Sequence, residues 1–148
     1  MSDARRPRVL ALDLESTLIS NAVSQFARPG LASFLTWALA AFERVVLFTS
    51  VPEERATAIL QLLISEGEAP PEAARIAYVQ WSGRQKDLGF VRAAEVDEIL
   101  LVDDQERYIV PEQRSQWVAI AEWDVPYAAT DRELDRVRAV LEERLSGT

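Results

Sequence analysis

The chain contains no cysteine and no histidine. Without cysteine it can build neither a disulfide framework nor a thiolate metal site. Without histidine it has no Ser-His-Asp triad, no imidazole acid–base pair and no histidine-ligated zinc. Lysine is scarce in an arginine-rich chain. No apolar run is long enough to span a bilayer, and the one that starts at Val9 is interrupted by Asp13. Residues 1–8 are basic but have no apolar signal core behind them. A net charge of −8 argues against nucleic acid as the main partner, because neutralising phosphates requires a basic surface. A cytoplasmic protein with neither a membrane nor a nucleic-acid partner is therefore expected. Its chemistry is confined to carboxylates, hydroxyls, Lys, Arg, Tyr and a hard metal held by oxygen.

What is present is a carboxylate motif. The run Val9-Leu10-Ala11-Leu12 ends on Asp13, with Glu15 two positions later and Ser16-Thr17 behind it. The pattern returns where Ile99-Leu100-Leu101-Val102 meets Asp103-Asp104. A carboxylate at the tip of a buried strand is costly to desolvate unless a metal, a cation or backbone N–H groups compensate it.

At 148 residues the chain is expected to form one domain over 1–148, with residues 1–7 flexible. Continuous apolar runs predict strands at residues 9–12, 45–48, 76–79, 98–102 and 117–120. Helical spacing predicts helices after Pro29, which suits a first helical turn, and from Pro52 with Ser50 as N-cap. A short helix is predicted over residues 86–94, and a charged amphipathic one over 130–145 with Thr130 as N-cap. Strands alternating with helices give an α/β fold, a mostly parallel five-stranded sheet flanked by helices. Ligands bind such sheets beyond the carboxyl ends of the strands. Asp13, Glu15, Thr49, Asp103 and Asp104 all fall at that edge, and Lys86 follows a loop on it.

With no histidine or cysteine, the strongest nucleophile on offer is a carboxylate, which attacks phosphorus well and carbonyls poorly. Lys86 and Mg²⁺ could neutralise a phosphoryl group, with Asp13 and Asp103 as metal ligands and Thr49 holding a phosphate oxygen.

These residues carry a resemblance. Asp13-Leu14-Glu15-Ser16-Thr17-Leu18 resembles the first motif of the haloacid dehalogenase-like (HAD) phosphatases. Leu47-Phe48-Thr49-Ser50 resembles the second, Lys86 the third and Leu101-Val102-Asp103-Asp104 the fourth. Arg28-Pro29-Gly30-Leu31, Lys86-Asp87-Leu88 and Tyr108 are similar to the NLI-interacting-factor-like, or small C-terminal-domain, branch. The resemblance implies a single Rossmann-like HAD domain and a Mg²⁺-dependent phosphomonoester phosphatase. Asp13 would be the nucleophile that forms an aspartyl-phosphate. Glu15 would move the proton. Thr49, Ser50 and Lys86 would bind the phosphoryl group. The metal would lie on Asp13, the backbone carbonyl of Glu15, Asp103 and Asp104. The gaps between motifs leave no room for a large cap, which suits a phosphoprotein or another accessible phosphate ester. Position 15 is usually Asp and position 16 usually Gly; here they are Glu and Ser. That departure sustains an alternative, a catalytically weak or inactive phosphate- or protein-binding module. A receiver domain shares the acid cluster but places its acid pair and phosphoacceptor the other way round. Arg28 and Arg84 are expected at the surface or in structural roles. Trp37, Trp81, Trp117 and Trp123 are expected in the core, Trp81 with a second reading as groove lining.

Overall fold

The computed structural model describes residues 7–147. Of the segment expected to be flexible, all but Pro7 lies outside the described residues. Five strands form one parallel sheet: β1 (Val9–Leu12), β2 (Arg44–Leu47), β3 (Ala77–Tyr78), β4 (Ile99–Asp103) and β5 (Trp117–Ala119). Their order across the sheet is β3-β2-β1-β4-β5. β1 is therefore central, paired with β2 from Val9–Arg44 to Leu12–Leu47 and with β4 from Val9–Ile99 to Leu12–Val102. This register levels the ends of β1, β2 and β4, so the residues just beyond them share one edge.

Apart from Arg44 and Asp103 at their ends, the inner strands β1, β2 and β4 are apolar on both faces because both faces are covered there, whereas the edge strands β3 and β5 are partly exposed. Side chains alternate along a strand. Leu10 and Leu12 join Val45, Leu47, Leu100 and Val102 in one core with α1 (Leu31–Ala41), α2 (Glu53–Ser65) and α3 (Glu133–Leu145). Val9, Ala11, Val46, Phe48, Ile99 and Leu101 form the other core, closed by Val79, Leu88, Val91 and Ile109 from irregular segments. No helix among the described residues is long and apolar enough to cross a membrane.

Several local expectations are corrected. Residues 86–94 form only a 3₁₀ turn, Leu88–Phe90, because Asp87 accepts the Gly89 N–H at 2.8 Å and glycine weakens a longer helix. Ser50 does not cap α2; Pro52 takes that position and, lacking an N–H, needs no partner there. Pro29 stands outside α1, whose N-cap is Gly30 at φ 86°. α3 starts at Glu133 rather than residue 130, with Arg132 in place of Thr130 at the cap.

The core makes a contrast that can be measured. Leu141 on α3 is fully buried, whereas Leu62 on α2 is 40% exposed. Leu141→Ala should cost about 2–5 kcal/mol and Leu62→Ala under about 1 kcal/mol, read as urea midpoints at unchanged m-value.

Candidate active site

The site is built on the tip of β1. The Asp13 N–H donates to the Val102 carbonyl at 3.0 Å, so the ladder reaches one residue past β1. The chain then turns sharply, and the N–H groups of Leu18 and Ile19 both return to the Leu14 carbonyl. Ser16 occupies the turn at φ 62°. That left-handed conformation costs a residue with a Cβ roughly 1–2 kcal/mol.

Lys86 is the centre of the charge arrangement. Its Nζ lies 3.0 Å from Asp13 Oδ1 and 2.5 Å from Asp103 Oδ2. The lysine is 1% exposed and Asp103 is fully buried. The ammonium also sits 4.6 Å from the centre of the Tyr108 ring, and the Lys86 N–H donates to the Tyr108 carbonyl at 2.7 Å. The lysine is thus fixed at both ends, by a strand-tip acid pair and by the loop after β4.

Asp13, Asp103 and Asp104 place one carboxylate oxygen each within 4.8 Å of one another. Thr17 Oγ1 bridges two of them, at 2.9 Å from Asp13 Oδ2 and 3.1 Å from Asp104 Oδ1. A hydroxyl has one proton, so it can donate to only one at a time. Burial pushes the Asp13 carboxyl well above the ordinary aspartate value, with Lys86 opposing and Asp103 and Asp104 adding to the rise. Burial raises Asp103 as well, although Lys86 and the Gln105 N–H pull the other way. Burial draws the Lys86 ammonium down, but Asp13 and Asp103 outweigh it, so the lysine stays charged. Asp13 and Asp103 share one ammonium with Asp104 beside them, an acidic group that fits a divalent cation. The donors are all oxygen, as Mg²⁺ prefers.

The other candidate residues divide. Thr49 is buried one residue past the end of the β2 ladder, and its Oγ1 accepts the Val51 N–H at 3.0 Å. Its carbonyl accepts the Trp81 indole N–H at 2.8 Å. The Trp81 ring meets Phe48 and Tyr108 edge-on, so this half-buried tryptophan props the second motif against the loop that holds Lys86. Ser50 is exposed at the same turn. The Glu15 carboxylate stands outside the three-acid group and accepts the Ala22 N–H at 2.6 Å.

Thr17, Tyr108 and Arg28 contribute more than the sequence alone assigned them. Thr17 was visible inside the motif, but nothing local showed that its hydroxyl spans two acids. Arg28 has a structural role and is buried, not at the surface.

The family model of the NLI interacting factor-like phosphatases matches residues 8–148. Among solved structures, Fcp1, an essential RNA polymerase II CTD phosphatase, aligns with a TM-score of 0.57 at 15% identity, covering 95% of this chain and 50% of that one. A variant of the fission yeast RNA polymerase II CTD phosphatase Fcp1 bound to beryllium fluoride aligns with 0.56 at 14%, with the same coverages. The chain spans about half the length of these structures, and at such identities the likeness establishes the fold. No curated protein matches the sequence.

The raised Asp13 carboxyl has a consequence for stability. Its native proton is lost as pH climbs through the raised value, whereas the unfolded chain has already released it near 3.8. Stability from this group is full below that value and declines above it. With chelator present, wild-type protein should therefore lose melting temperature relative to Asp13→Asn as pH rises above 3.8. Added Mg²⁺ should narrow the gap. Calorimetry across pH reads this, and a gap that does not change with pH would refute it.

Proposed function

The chain belongs to the NLI interacting factor-like phosphatases, HAD-type hydrolases, and from that premise we propose that it cleaves phosphomonoesters with Mg²⁺ through an aspartyl-phosphate on Asp13. One observation carries the reading: a buried ammonium shared by the acids at the tips of β1 and β4, beside a third carboxylate. Such an arrangement neutralises a transferring phosphoryl group while leaving a carboxylate as the attacking group.

The roles are those that the family resemblance implies for these residues. A carboxylate oxygen of Asp13 attacks phosphorus as the ester P–O bond breaks, and Glu15 gives its proton to the leaving oxygen. Glu15 then takes a proton from the water that attacks the aspartyl-phosphate. The Asp13–P bond breaks, inorganic phosphate leaves and Asp13 is regenerated. Lys86, Thr49 and Ser50 hold the phosphoryl oxygens. Asp13, Asp103, Asp104 and the Glu15 carbonyl would hold Mg²⁺, which supplies charge neutralisation at the phosphoryl group.

An open substrate site agrees with the chain's economy. The segments at residues 20–27 and 69–84 are too short for a large cap, so a phosphate on a protein or another extended molecule can reach Asp13. The likeness to Fcp1, a CTD phosphatase, supports a phosphoprotein substrate. The tether between Glu15 and the Ala22 N–H favours a slower variant of the same reading. A carboxylate held by the loop must swing away before it can transfer a proton, and until it does the site binds phosphate without turning over.

With an aryl phosphate and Mg²⁺, turnover should stop in EDTA and return when Mg²⁺ is restored. Asp13→Asn should lose roughly a thousandfold or more in kcat, because both steps pass through that carboxylate. Glu15→Gln should lose roughly 10²–10⁴-fold, the share that general acid–base catalysis ordinarily supplies. Undiminished turnover in Asp13→Asn would overturn the mechanism. A large gain in Glu15→Asp would show that the tethered glutamate limits the rate.

A further inference from the structure

The turn that carries Glu15 and Thr17 is held from outside the four motifs. Arg28 is 1% exposed, a rare burial for a guanidinium. Its Nε and Nη2 donate to the two carboxylate oxygens of Asp131, at 2.8 and 3.0 Å. Nη1 donates to the carbonyls of Ser16 and Thr17, both at 3.2 Å. Nη2 also donates to the Ala121 carbonyl at 2.7 Å. The five N–H donors of the guanidinium are then all spent within the protein. None is left for a phosphate, so Arg28 is not a substrate-binding group. Asp131 lies 103 residues from Arg28 in sequence, and the contacts of Arg28 join the turn after β1 to the segment between β5 and α3.

That turn needs holding. Ser16 sits at φ 62°, a conformation glycine adopts freely and serine does not. Its carbonyl takes two donors, Arg28 Nη1 and the Trp123 N–H at 2.9 Å. Both come from the framework that Asp131 closes. On one side of Ser16 is Glu15; on the other is Thr17, whose hydroxyl contacts both Asp13 and Asp104.

We propose that Arg28 and Asp131 are positioning residues that hold Ser16 in its left-handed turn, and thereby keep the Thr17 hydroxyl on Asp13 and Asp104 and set the direction in which Glu15 leaves the turn. The inference rests on the phosphatase mechanism proposed above only for its kinetic readout. A fork–fork pair fixes direction as well as distance, which a point charge could not do at two adjacent carbonyls. The segment from residue 121 to 131 is then part of the active-site support, although it holds none of the motif residues.

The test combines kinetics with backbone exchange. In Asp131→Asn, kcat on an aryl phosphate with Mg²⁺ should fall about tenfold while KM stays within about twofold, since Thr49 and Lys86 are untouched. Arg28→Lys, which keeps the charge and loses the fork, should behave alike and serves if Asp131→Asn does not fold. Adding Ser16→Gly to either variant should recover most of the lost kcat, because glycine takes the turn without being held. Amide exchange at Leu18 and Ile19 should quicken about tenfold in the single variants while the amides of β1 keep their protection. A variant that melts lower but keeps both its kcat and its exchange rates would overturn the proposal, as would a failure of Ser16→Gly to recover kcat. If wild-type protein shows no Mg²⁺-dependent turnover, the mechanism fails instead, and the exchange rates alone decide the clamp.

Discussion

The structure depends on one buried ammonium. Lys86 is the single lysine of the chain, and its Nζ joins the acids at the tips of two neighbouring strands. Carboxylates buried beside one another repel and are costly to desolvate, by several kcal/mol per ion. The lysine offsets part of that cost and sets the spacing of the acids. It leaves an acidic cluster whose oxygen donors fit a divalent cation. A well-packed apolar cluster of the same volume would be more stable, so this arrangement reads as function held at the expense of stability.

The lysine can reach that position because the sheet is covered asymmetrically. Three helices pack on one face, and irregular segments close the other. Those segments carry Lys86 and Tyr108 over the edge of the sheet, where a regular helix would have run past it. The same economy governs the second motif. Trp81, from the loop after β3, fixes the Thr49 carbonyl and leans on Phe48 and Tyr108. Around the first motif, the Arg28–Asp131 pair does for Ser16 and Thr17 what Tyr108 does for Lys86. Lys86, Thr49 and the Ser16–Thr17 turn are each backed by a residue from outside the four motifs.

Much of this was legible in the chain itself. The apolar runs of β1, β2 and β4 marked strands because a strand buried on both faces is apolar along its length, and the partly exposed edge strands β3 and β5 kept enough of that pattern to be placed. Asp13, Thr49, Asp103 and Asp104 could be placed on one edge because parallel strands end together. The helix starts were less legible. Ser50 and Thr130 are good caps by propensity, but the loops before α2 and α3 are drawn elsewhere by Tyr78, Arg28 and Glu133, and those pulls are long-range. The helix expected after Lys86 gave way to a 3₁₀ turn through the local Asp87–Gly89 bond, with the Lys86 N–H held in addition by the loop after β4.

The sequence by itself determined which chemistry was open. With no histidine and no cysteine, carboxylates are the strongest nucleophiles and hard-metal ligands on offer, and hydrophobic period places them at strand ends. Only the tertiary structure decided how those groups are charged and aimed. A pKa depends on burial and on neighbours from other strands. A turn at positive φ depends on donors brought from far along the chain. Thus Asp13 was recognisable from its neighbours in sequence. Its raised carboxyl, the bridge through Thr17, the loop that holds Glu15 and the clamp of Arg28 on Asp131 arise from contacts between residues that no local pattern connects.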